Sequence, residues 1–529
     1  MALAKKFFCV MRRTEFFFRR KLFIFIFGFA ALLLSSTTVF ANNLSISNVS
    51  ISARDASANT ATVSFDISWS NSWRNQENYD AAWVFLKFQI GSGNWTHATL
   101  KTSGTTPTGF STGSGTGIEI VVPTDKKGAF VQRSAVGSGS LSTTSVKFVW
   151  DYSTDGVADT DSITLKVFGI EMVFIPTGSF YLGDGDGSTE ATYAFHVTDN
   201  TAFQVTTSST ANVTVDSSSD DDIDTSPIAI DGDGGITGNT SFPTGYTAFY
   251  LMKHEVTEGQ WVDFFNTLTS AQQTTRDITG NDATQGGKDT DSTAYRNTVA
   301  WTSGDATTTR ENRAMGYLSW QDLCAYADWA ALRPMTELEF EKAARGTQAV
   351  VNGEYVWGNT TITAGDTISG SEDGTETITT ASANISFNIT GYSGGDASTG
   401  PLRVGIFATS SSTRTASGAG YYGNTELAGN VHEVVVTVGR SEGRSFTGTQ
   451  GDGALTTTTS YEGNATNSDW PGIDATPARG VTGATGSGAR GSSWGTGTSR
   501  ARTSDRQIAA ETTLTRGSGL GGRCARTAP

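Results

Sequence analysis

The sequence predicts an α+β chain in which an all-β sandwich domain precedes a mixed domain of short strands, few helices and many loops. Three observations lead there. Glycine is abundant (61) and proline scarce (10) in 529 residues, with serine and threonine throughout, a composition of turns and short strands rather than helix bundles. The first third of the chain alternates apolar and polar residues with period two. Helical spacing and capping boxes enter only after Phe249.

The residues before Asn42 read as a targeting segment (1–41). Lys5, Lys6, Arg12, Arg13, Arg19, Arg20 and Lys21 form a basic n-region, and Leu22 to Leu34 an apolar stretch too short to span a membrane comfortably. Val39-Phe40-Ala41 offers the small residues that a signal peptidase reads, so cleavage is expected before Asn42. The expectation is a secreted or cell-surface protein with no transmembrane segment after cleavage; a retained N-terminal anchor is the alternative. Net charge is −15 and the pI about 4.8, which argues against nonspecific nucleic-acid binding. Cys9 falls in the targeting segment. Two cysteines, Cys324 and Cys524, remain, and in an exported chain they suggest one disulfide, with a pair of buried thiols as the other reading.

Residues 42–167 read as the all-β domain. Leu44 to Ile51 and Ala61 to Trp69 alternate; Ala82 to Phe88 is a stronger apolar run; Val146 to Trp150 and Ile163 to Phe168 close the set. Gly, Ser and Thr punctuate them, as in a sandwich. Trp69, Trp73, Trp83 and Trp95 are read first as core and strand packing, with a carbohydrate platform as the alternative.

The second domain, 168–529, opens with a strand pair around Pro176-Thr177-Gly178. Residues 184–245 form an acidic insertion. Asp220, Asp221, Asp222, Asp224, Asp231 and Asp233 lack EF-hand spacing, so a solvated loop is the preferred reading. Thr257 and Gln260 make a capping box, a second helix runs from Ser319 through Ala331, and Thr336 with Glu339 caps a third. Past Gly346 strands, turns and long loops are expected.

The order of these pieces resembles the formylglycine-generating enzyme (sulfatase-modifying factor) family. The resemblance is carried by Met172 to Gly183, Lys253-His-Glu-Val-Thr-Glu-Gly-Gln-Trp261, and Arg333-Pro-Met-Thr-Glu-Leu-Glu-Phe-Glu-Lys-Ala-Ala-Arg-Gly346. Tyr355-Val-Trp-Gly-Asn359, Gly429-Asn-Val-His-Glu433, Arg490-Gly-Ser-Ser-Trp494 and Gly521-Gly-Arg-Cys524 follow in order. It covers about residues 170–529 and implies that family's C-type-lectin-like fold. In such a loop-rich fold, Arg333, Arg345, Arg502 and Arg506 are expected to bridge loops through carboxylates.

The departures decide the functional reading. Oxidases of this family bind copper through two cysteines just after the Gly-Gly-Ser-Trp/Tyr segment, thiolate being a soft ligand suited to Cu(I). Here Gly495 to Arg506 contains no cysteine, so no copper is expected and no catalytic residue is assigned. His97, His196, His254 and His432 are scattered, without metal-ligand spacing. The resemblance implies structural calcium on Glu426, the carbonyls of Gly429 and Val431, and Glu433. A second site would use Asn384, the Ile385 carbonyl and Asp396. It also implies pairing of Cys524 with Cys324, one turn earlier than usual for the family.

Residues 490–526 alternate regular posts with small and polar residues: Gly495, Thr496, Gly497, Ser499, Arg500, Asp505, Thr515, Gly517, Ser518 and Gly519. This resembles the variable C-terminus of retroelement-diversified proteins, in which surface residues contact a ligand; a tolerant surface loop is the other reading. The reading reached is an exported binding protein with a protein or glycan ligand. The alternatives are an enzyme acting by a non-cysteine mechanism and a structural cell-surface protein.

Overall fold

The computed structural model describes residues 43–185 except 53, then 194–195, 202–208, and 239–529 except 283, 292, 410 and 513. The expected signal peptide and the acidic residues Asp220 to Asp233 lie outside the described residues. The described residues fall in one compact unit.

Two sheets make the N-terminal sandwich. The first has four strands in the order Ser45–Ile51, Ala61–Arg74, Gly137–Trp150 and Ser114–Gly115. Strand Ala61–Arg74 buries alternate residues from Ala61 to Trp69, as its period-two pattern requires. These side chains meet Val84, Leu86, Phe88, Ile120 and Val131 of a nine-stranded sheet. Asp80–Ile90 is central in that larger sheet and is buried over almost its whole length. Its continuous apolar run follows from covering on both faces. Ala82, Val84, Leu86 and Phe88 face the sandwich core, whereas Ala81, Trp83 and Phe85 join the main core of the second half.

Strand Ile163–Ile175 joins the halves. It pairs antiparallel with Asp80–Ile90 from Ile163↔Ile90 to Val173↔Asp80, and its last residues pair with Phe249–Met252. Phe249–Met252 in turn pairs with Cys524–Thr527, next to Arg333–Pro334. The position between residues 167 and 168, where the sequence divides the chain, therefore falls inside one continuous strand.

The helices follow their caps. Glu258–Phe265 starts at Thr257, Trp320–Trp329 at Ser319 and Glu337–Arg345 at Thr336, each through a reciprocal capping box. A further box, Thr269 with Gln272, opens Ser270–Arg276, a helix that the sequence reading does not contain. Trp320–Trp329 is buried on every side; Trp329 packs edge-on against Phe85 at 5.1 Å, and Trp83 Nε1 donates to the Ala330 carbonyl at 2.8 Å. Beyond Gly346 regular structure is sparse. The largest piece is a three-stranded sheet, Ser487–Arg490 beside His432–Val436 beside Leu520–Gly521. Among the described residues no helix is long and apolar enough to cross a membrane.

Candidate functional site

The C-terminal surface is held by buried ion pairs. Glu337, in the first turn of its helix, accepts from Arg506 Nε at 2.7 Å and from Arg490 at 3.1 Å. Arg490 also reaches Glu341 at 2.8 Å, and Arg345 ties Glu341 (3.1 Å) to Glu354 (2.5 Å). Burial works to raise the Glu337 carboxyl, but Arg506 and Arg490 overcome it and hold it below the ordinary value. Asp322 is clamped between Arg516 (2.7 Å) and Arg276 (3.0 Å) and is likewise held low. Arg523 donates to Glu433 at 2.6 Å and to the carbonyls of Thr425 (2.7 Å) and Glu426 (2.8 Å). Of the loop-bridging arginines expected from sequence, Arg333, Arg345 and Arg506 pair with carboxylates, Arg333 bidentately to Glu339 at 2.8 and 2.6 Å. Arg502 lies against Tyr355.

Between these posts the candidate ligand residues reach the surface. Gly495, Gly497, Ser499 and Thr515 are exposed; Thr496, Arg500, Asp505, Gly517, Ser518 and Gly519 are half-buried. Trp494 joins the stretches 495–497 and 517–519. Its ring packs on Tyr295 at 5.1 Å, and its Nε1 donates to the Ser518 carbonyl at 3.3 Å. Gly519 lies against Ser493, and its carbonyl accepts from His432 N at 2.8 Å. Arg500 and Asp505 form a neighbouring group through Gln507: Arg500 Nε donates to Gln507 Oε1 at 3.1 Å, and Gln507 N donates to Asp505 at 3.2 Å. Burial raises Asp505 to about 6. His432 is pushed down to about 4 by burial and by the positive Arg500, so it is neutral at pH 7. Thr515 stands apart, next to the anchored Arg516. Sequence reasoning missed Tyr295, which belongs to a distant loop and carries no motif.

Around Gly429 to Glu433 part of the expected calcium ligand set is taken up by protein donors and part is not. Glu426 accepts from Gly405 N at 2.9 Å and from the Thr425 hydroxyl. Glu433 Oε1 is held by Arg523, and Glu433 Oε2 is buried without a partner. The Val431 backbone N–H and the Asn430 side-chain Nδ2 donate to Glu255, at 3.0 and 2.6 Å. Glu255 stands beside His254 in a motif read only for its resemblance, and it is the carboxylate around which this loop closes. Burial first, then Glu433, raises it well above the ordinary range. The second expected set is occupied more fully. The Ile385 carbonyl accepts from Gly365 N at 2.8 Å, the Asn384 amide is spent on residues 361, 363 and 415, and Asp396 is clamped by Arg310 (2.9 and 2.6 Å) and Arg313 (2.8 Å). The oxygens of this second set are occupied by N–H donors and have little left for a hard cation, whereas in the first set Glu433 Oε2 keeps a free acceptor. Among the described residues no group of three or more His, Cys, Asp or Glu is placed to hold a metal.

The disulfide implied by the family resemblance is not formed in this structure. Cys324 and Cys524 are free thiols, fully buried in the main core. Burial first, and then Cys524, pushes the Cys324 thiol well up, so it carries no thiolate at neutral pH.

The geometry defines a loop-rich α+β domain whose exposed C-terminal turns are mounted on buried arginine–carboxylate pairs. Residues 240–528 match the family described as Sulfatase-modifying factor enzyme 1-like domain. That is more than half of the chain, and the chain belongs to this family. It is also similar to a formylglycine-generating enzyme of Thermomonospora curvata, 45% identical over 56 residues, which are 11% of this chain and 18% of that enzyme. The chain thus matches under a fifth of that relative's length.

Proposed function

We propose that this chain is an exported binding protein that uses its sulfatase-modifying-factor domain as a rigid mount for a ligand-contacting C-terminal surface. The observation that carries the reading is the contrast along residues 490–523. The posts Arg490, Arg506, Arg516 and Arg523 are buried, the candidate ligand residues between them from Gly495 to Gly519 reach solvent, and no cysteine stands among them. Copper–thiolate oxidation of a cysteine needs thiolates at this surface, and the two thiols of the domain lie in the core. The ligand class is a protein or a glycan. The test is capture on protein and glycan arrays by the wild type and by Thr496→Arg and Gly497→Arg. Capture that falls at least tenfold in both variants, with melting unchanged, supports the reading. Copper-dependent oxygen uptake with a cysteine peptide overturns it.

One observation favours a diversified version of this surface. A Cβ added at Gly495 or Gly497 meets nothing within 4 Å, so the backbone there accepts any side chain that solvent tolerates. Deep sequencing of the gene's 3′ end in a growing population tests it. Adenine-directed variation at the surface codons, with Trp494 and Arg506 constant, supports diversification; an invariant segment leaves a surface of fixed specificity.

A further inference from the structure

A cavity of about 410 Å³ opens where the end of strand Ala61–Arg74 meets the loops at 405–425. It shares no residue with the C-terminal surface. Its size is that of small-ligand sites. Three aromatic side chains line it: Trp73 from the N-terminal half, and Tyr421 and Tyr422, packed edge-to-face at 4.9 Å, from the second half. Trp73 and Tyr421 are half-buried, so their rings remain available. Of the four tryptophans weighed as a carbohydrate platform, Trp69 and Trp83 are core residues, 2% and 0% exposed. Trp73 alone reaches this cavity, and Trp95 lines a different cleft.

The floor is built and incompletely satisfied. Lys253 lies under the Trp73 ring, 5.2 Å from its centroid, and is neutralised from behind by Glu171 at 2.9 Å and Asp80 at 3.7 Å. His254 pairs Nδ1 with the Thr425 hydroxyl at 2.6 Å, whereas its buried Nε2 has no hydrogen-bond partner. The buried Tyr422 hydroxyl has none either. A buried polar atom without a partner is costly, and a ligand hydroxyl or a bridging water relieves that cost. Asn75, Ser412 and Arg414 make the rim polar and cationic, and among the described residues no carboxylate lines the cavity although the chain carries a net charge of −15.

We propose that this cavity binds a saccharide ring of a glycan. A pyranose has apolar C–H faces that stack on Trp and Tyr, and a rim of hydroxyls that amides, hydroxyls and imidazole can satisfy. An apolar ligand leaves His254 Nε2 and the Tyr422 hydroxyl unpaired. A polycation lacks a carboxylate to meet and faces Lys253 and Arg414. Both halves of the chain contribute, so the cavity depends on the seam at Ile163–Ile175.

The test is affinity electrophoresis of the full chain in gels containing neutral glucomannan or polygalacturonate. The expected result is retardation in at least one gel, reduced at least tenfold in affinity by Trp73→Ala and by Tyr421→Ala. Trp95→Ala and Gly497→Tyr, in the other cleft and on the C-terminal surface, are expected to run like the wild type. Tyr421 is half-buried, and its variant keeps the test sound if Trp73→Ala fails to fold. Retardation in neither gel overturns the proposal. So does retardation that survives both aromatic substitutions, or that is lost in Gly497→Tyr, which would place the sugar on the C-terminal surface instead.

Discussion

The sandwich and the C-terminal region bury different chemistry. Between the two sheets lie Val63, Phe65, Ile67, Leu86, Phe148 and Trp150, and long ladders satisfy the backbone. In the region framed by Glu337, Arg490 and Arg523, ladders are two to five residues long, and side-chain ion pairs, 0–1% exposed, join the loops. The difference shows how a fold with little regular structure specifies itself. Where the backbone cannot pair with itself, planar guanidinium groups reach carboxylates and carbonyls together and fix loop against loop. The sandwich is apolar and should tolerate conservative change. The ion-pair region should tolerate almost none at its posts, and much between them.

The largest effect should come from stranding a buried charge. Glu337→Ala leaves Arg490 and Arg506 without their shared carboxylate and is expected to cost about 3–5 kcal/mol in denaturant unfolding. Acid should separate the two regions next. Glu337 and Asp322 have folded pKa values below their unfolded ones. Their contribution is therefore complete above the unfolded carboxyl pKa and lost as pH falls through the lower folded value. Hydrogen exchange at decreasing pH should open peptides 320–345 before peptides 61–74; the reverse order would break the comparison. A smaller effect is expected inside the sandwich: Ile67→Val should cost about 0.5–1.5 kcal/mol, without pH dependence. The smallest belongs to the surface, where Gly497→Tyr should shift stability by no more than about 0.5 kcal/mol in a melting experiment.

Much of this was legible in the sequence. The strand Ala61–Arg74 shows itself by alternation, two of the three predicted helices by their caps and the third by helical spacing, and the family by motifs in order. The rest depends on partners far along the chain. That Asp80–Ile90 serves two cores shows only as an unusually continuous apolar run, which a buried helix would share. Glu255 closes the loop at Asn430 and Val431, 175 and 176 residues away, and no local spacing announces it. The second expected calcium set was placed by resemblance, which carries residue types but not the Arg310 and Arg313 donors that occupy Asp396. His432 illustrates the same limit: its departure from the family's tryptophan was visible, whereas its burial beside Arg500 was not.

The most direct test of frame against face is saturation mutagenesis of residues 490–526, displayed and selected for protease resistance. The account predicts broad tolerance at Gly495, Thr496, Gly497, Ser499 and Thr515, and near-complete intolerance at Arg490, Arg506, Arg516 and Arg523. Gly519 should reject larger residues, because a Cβ there comes within 2.8 Å of Ser493 Oγ. Uniform tolerance across the segment, or arginine posts that accept leucine without loss of resistance, would contradict it.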